Sequence, residues 1–102
     1  MAKYYFQIEK FKITPAKIGF NTQSFPMDKS SKTYTTINEV RAAARKHLIN
    51  RKLYFRGGFQ AAIYKDEKEI DVLALEGGEI ESMYYGKRVN DVGKLVPKLK
   101  WY

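Results

Sequence analysis

One stretch of this chain carries a helical period long enough to matter, and it limits what the rest can be. TTINEVRAAARKHLIN places Ile37, Val40, Ala44 and Leu48 at spacings of three, four and four, one narrow apolar stripe. Thr36, followed three residues later by Glu39, has the pattern of a capping box. In that motif each side chain satisfies an otherwise unpaired backbone N–H. Three alanines raise helix propensity, and Asn50 suits a left-handed stop. The spacing predicts a helix over 37–50. A stripe this narrow cannot be buried on all sides, so the helix needs a sheet to lie on.

The flanking sequence supplies strands. In KYYFQIEKFKIT, Tyr4, Phe6 and Ile8 share one face, whereas Phe11 and Ile13 take the other parity. That change predicts a bulge near Glu9-Lys10. Pro15 closes the segment, and residues 18–25 read as a short edge strand followed by a loop carrying Lys29 and Lys32. After the helix, 53–55 and 59–64 are β-rich on either side of Arg56-Gly57-Gly58. Asp66-Glu67-Lys68-Glu69 reads as a polar turn. Residues 70–76 are apolar on both faces, as a central strand requires, and Gly77-Gly78 signals a hairpin to a strand over 79–85. In the tail, Val89, Val92 and Leu95 have helical spacing interrupted by Gly93 and Pro97. A short helical turn and an extended end covering one sheet edge are expected there. The fold class is therefore α+β: a single domain, residues 1–102, with the helix across a mainly antiparallel sheet of four to five strands. The 44% hydrophobic content fits one modest core at this length.

Charge is unevenly placed. Residues 1–65 hold 13 basic and 3 acidic side chains (+10), residues 66–86 hold 1 and 7 (−6), and residues 87–102 hold 5 and 1 (+4). Together these make the net +8. A cationic chain interrupted by one acidic hairpin favours polyanionic partners. The expected phosphate contacts are Lys29, Lys32, Arg41, Arg45, Lys46, Arg51, Lys52, Arg56, Lys87 and Arg88. Tyr64, Tyr84 and Trp101 are candidate stacking groups for bases. Arg41 and Arg45 sit on one shoulder of the helix stripe, four residues apart, and such adjacency costs a little unless an anion is near. The acidic hairpin over 66–81 is an internal source for that anion. Arg56 lies in KLYFRGGFQ, a single Arg-Gly-Gly within an apolar segment. Repeated, low-complexity tracts mark RNA-binding segments of that type, so the two glycines read as a turn or bulge with Arg56 presented outward.

Several function classes are excluded. There is no cysteine for a disulfide or thiolate site, and His47 is the sole histidine, best read as half-buried beside the stripe. The carboxylates of Asp66, Glu67, Glu69 and Asp71 fall in or beside a turn, where side chains diverge. A two-metal site holds its ions about 4 Å apart and needs ligands that converge. No nucleophile–base pair, phosphate loop or cofactor fingerprint appears. Neither an enzyme nor a cofactor is expected, and no metal site. With no signal-type apolar run and no membrane-length segment, a cytoplasmic, soluble protein without membrane partners is expected. The leading expectation is a non-enzymatic module that binds DNA or RNA. The rival is a small protein-binding or inhibitor protein, or a homodimer, acting through the acidic hairpin with Glu76, Glu79 and Glu81 at the interface. A third option is a structural subunit docking through its C-terminal tail.

Overall fold

Thr36 caps α1, Ile37–Asn50, by accepting a hydrogen bond from the backbone N–H of Glu39 at 3.2 Å. Only half of the expected reciprocal box forms, because the Glu39 carboxylate accepts instead from the hydroxyls of Thr35 and Thr36, at 3.1 and 3.2 Å. The helix bounds match the periodicity. The left-handed residue does not fall at Asn50: Arg51 is the C-cap and Lys52, at φ 54°, makes the turn, its N–H donating to Ile49 O at 3.2 Å. The molecule is a computed structural model that describes residues 2–15, 17–30 and 32–98.

Among the described residues seven strands form one sheet: β1 Tyr4–Pro15, β2 Phe20–Lys29, β3 Phe59–Lys65, β4 Lys68–Glu76, β5 Glu79–Ser82, β6 Lys87–Val89 and β7 Leu95–Val96. Their order is β2-β1-β3-β4-β5-β6-β7, and every pairing is antiparallel. The architecture is α+β with one helix, but the expected four to five strands are corrected to seven. The two extra strands come from the tail. The helical turn expected there is replaced by a β6–β7 hairpin, because Gly93 takes a left-handed φ of 80° and turns the chain back at Asn90–Lys94. Two further expectations change. Residues 53–55 are not a strand but lead into a 3₁₀ turn, Phe55–Gly57, and the last strand of the 70–85 hairpin ends at Ser82.

A register shift lies between Ile8 and Glu9, beside the place where a bulge was expected, but the first strand is not the bulged one. The extra residue belongs to the partner strand, where Met27 lies between the pairs Ile8↔Asp28 and Glu9↔Pro26. Phe6, Ile8, Ala61, Ile63, Leu73, Leu75, Ile80 and Val89 form the inner sheet face and pack with Val40, Ala44 and Leu48 of α1. Among the described residues no helix covers the other face, which carries Tyr5, Gln7, Tyr64 and Glu69 with Ala62 and Ala74 sunk between larger neighbours. The shortest dimension, 23 Å, is that of a helix laid on one sheet, each layer being roughly 10 Å deep. Within this interface Arg41 is 4% exposed and its Nε lies 3.2 Å from the fully buried Asp71 carboxylate.

Candidate nucleic-acid interface

The backbone carries α1 from β6 and β7 across the sheet, so its C-terminal half ends over β1, where His47 meets the Phe6 ring at 5.6 Å. The chain from β2 to α1 is pinned against the same strand. Ser30 N–H donates to Phe6 O at 2.8 Å, Phe6 N–H donates to Ser30 Oγ at 3.2 Å, and Tyr34 exchanges two backbone bonds with Tyr4. A groove of about 670 Å³ lies between the two segments. Lys29, Lys32, Lys46, Arg51 and His47 line it, with Asp28 as the only carboxylate. Four of the ten cations expected at phosphates are thus brought together from two separate stretches of sequence.

Two of these cations are held in place by rings. The Lys29 ammonium sits 4.3 Å from the centre of Tyr5, on the uncovered face of the sheet, so Lys29 lines the groove at its edge; that of Lys32 is 5.3 Å from the centre of Tyr34. Such contacts hold flexible side chains without cancelling their charge. His47 is half-buried as expected. Burial first, then the positive charge of Arg51, pushes its pKa below the ordinary histidine value, and Asp28 opposes this in part. Its Nε2 is buried and has no hydrogen-bond partner among the described residues. A neutral imidazole beside lysines can donate one bond to an anion without adding charge to a crowded site.

The other expected contacts lie elsewhere. Arg41 is internal and unavailable: Asp71 accepts from its guanidinium, and the Tyr85 ring lies 5.5 Å from it. Arg45 is on the opposite flank of α1, lining a separate surface recess with Arg88, Glu79 and Asp91. Lys52 and Arg56 border a third recess with Tyr54 and Glu76, and Lys87 starts β6 at an exposed position. Gly58 is the backbone device expected of the Arg-Gly-Gly turn. It is left-handed at φ 89°, and a side chain there would come within 2.9 Å of Phe11 O. Trp101 lies outside the described residues.

Among the described residues, three carboxylates of the acidic segment are answered by cations of the same chain. Glu79 pairs with Arg88 at 3.6 Å and Glu81 with Lys98 at 2.6 Å, while Asp71 takes Arg41. Among the described residues, none of Lys29, Lys32, Lys46, Arg51, Lys52 and Arg56 has a carboxylate within salt-bridge distance. Of the expected stacking groups, Tyr64 is stacked on Tyr5 with centroids 5.0 Å apart. The Tyr84 hydroxyl donates to the Glu69 carboxylate, which pushes its pKa up to about 12. Asp28, Tyr34 and His47 also line the groove, although nothing local in the sequence assigns them to it. Only folding brings the β2 end to the helix end. Among the described residues no three acidic or histidine side chains gather as a metal site, and no helix is long and apolar enough to cross a membrane. No protein-family model, no curated protein and no solved structure matches the chain.

Proposed function

We propose that this chain is a non-enzymatic nucleic-acid-binding module whose phosphate contacts centre on the groove between α1 and the end of β2. The observation that supports it is that Lys29, Lys32, Lys46 and Arg51 line one groove whose described lining holds a single carboxylate, while on the far side Arg88 and Lys98 are paired internally. Unpaired cations held over rings recover attraction from a polyanion that paired ones have already spent on the fold. The absence of cysteine suits a cytoplasmic setting. The protein-docking alternative rests on less, because Glu79 and Glu81 already hold Arg88 and Lys98 and leave Glu76 alone at that edge.

Electrophoretic mobility shifts with duplex DNA, single strands and structured RNA test the reading. Affinity falls steeply as salt rises from about 50 to 200 mM. A variant with Lys29, Lys32, Lys46 and Arg51 all changed to Gln binds far more weakly, and its salt slope is lower by about 0.9 for each duplex phosphate it no longer neutralises. A wild-type protein that shifts none of these ligands at low salt ends the proposal.

A further inference from the structure

Between Lys10 and Met27 the chain holds three lysines and not one carboxylate. The same stretch forms a two-stranded ribbon that leaves the sheet. β1 is paired on both sides as far as Lys10, which faces Phe59 of β3, and Phe11 N–H still donates to Gly58 O at 2.7 Å. Beyond that point the four pairs Lys12↔Gln23, Ile13↔Thr22, Thr14↔Asn21 and Pro15↔Phe20 have no strand on the β3 side. Four pairs reach about 13 Å at the usual strand rise.

One side of the ribbon is set by the register. Lys10 lies opposite Phe25 and Lys12 opposite Gln23, and alternate residues of a strand share a face. Ile8, two positions before Lys10, belongs to the core beneath α1. Lys10, Lys12, Gln23 and Phe25 therefore line the α1 side of the sheet, continuing the surface on which the groove lies. All four are exposed, Phe25 at 51%, and Ile18 near the tip is 95% exposed. Among the described side chains, none from residues 12–25 belongs to the hydrophobic core.

We propose that this ribbon enters the major groove of double-stranded DNA while the adjoining phosphates follow the cationic groove at α1. The inference rests on the nucleic-acid reading and narrows it to one partner. The major groove of B-form DNA is about 12 Å wide and 8.5 Å deep and admits a two-stranded ribbon, so the free length here suffices to reach base edges. Lys10 and Lys12, at the root of the ribbon, meet the phosphate walls as its far end enters the groove. Duplex RNA presents a deep, narrow major groove that side chains do not read. Single strands need a platform of free rings, but on the uncovered sheet face Tyr5 is occupied by Tyr64 and Lys29, and Glu9 and Glu69 share that face and repel phosphates.

Fluorescence anisotropy with duplex DNA, duplex RNA and single-stranded DNA of equal length tests the assignment. Two variants are compared with the wild type. In one, residues 13–22 are replaced by Asn-Gly, which closes Lys12 and Gln23 with a two-residue hairpin turn. In the other, Lys10→Gln, Lys12→Gln and Lys17→Gln keep the ribbon length. Wild-type protein prefers duplex DNA. The shortened variant loses that preference, and the triple Gln variant loses about tenfold or more in duplex affinity near 0.1 M salt, with its salt slope reduced by about 2 to 3. Wild-type binding that is as tight to single strands or duplex RNA overturns the assignment, as does unchanged duplex binding by both variants. Either result leaves the α1 groove standing as a phosphate site. Failure of the wild type to bind any of the three removes both.

Discussion

Arg41 has the sequence of a cation available to phosphates and the surroundings of a buried strut. Its Nε lies 3.2 Å from Asp71. The same carboxylate accepts from Val72 N–H and from the Ser82 hydroxyl, each at 2.8 Å, and from Tyr84 N–H at 3.4 Å. This one side chain ties α1 to β4, β5 and the turn after β5. A buried pair of this kind adds little over a well-packed apolar pair, yet removing one partner strands the other charge, at about 3–5 kcal/mol. Asp71→Ala and Arg41→Ala are each expected to lower unfolding stability by that amount, and the double variant by clearly less than the sum. Denaturant melts of the four proteins provide the check; small, additive losses mean that the pair is not the strut described. The sequence already pointed to the acidic segment as the answer to Arg41. It could not single out Asp71 from seven carboxylates, because the choice depends on which face of β4 lies beneath the helix.

Elements were legible where their determinants are local. The period, the alanines and Thr36 all lie within α1 or beside it, and its bounds were readable to the residue. The Gly77-Gly78 turn is local in the same way, with both residues left-handed in the structure. The tail was not. Val89, Val92 and Leu95 have helical spacing, but what decides their state is distant: Val89 pairs with Ile80, and Gly93 lies against the first turn of α1. A Cβ on Gly93 would fall 1.8 Å from Asn38 O, at a left-handed φ of 80°. Gly93→Ala is therefore expected to cost about 3 kcal/mol or more, the upper end of what single substitutions do. By contrast Gly78→Ala has open space around it and carries only the left-handed strain of about 1–2 kcal/mol. Thermal melts of the two variants separate these cases, and equal losses sink the account of Gly93 as a close-packing residue.

At the scale of the whole molecule, the basic and acidic portions were legible from composition, whereas their pairing was not. The acidic hairpin and the basic tail are adjacent strands, so Glu79 and Glu81 cancel Arg88 and Lys98 across β5, β6 and the chain end. Among the described residues, Lys29, Lys32, Lys46 and Arg51, toward β1, β2 and the end of α1, have no carboxylate at salt-bridge distance. Changing Glu76, Glu79 and Glu81 to Gln raises the net charge from +8 to +11 and frees two cations on the far side. The screening length is about 30 Å at 0.01 M salt and about 8 Å at 0.15 M. The triple variant is therefore expected to bind duplex DNA several-fold more tightly at the lower salt and no more tightly at the higher. Paired titrations at the two salt concentrations measure this. A gain that persists at 0.15 M would mean that Arg88 and Lys98 touch phosphates directly, which moves the interface around the molecule. A loss of binding at both would return the acidic edge to a docking role, because removing carboxylates can weaken association only where they themselves meet the partner.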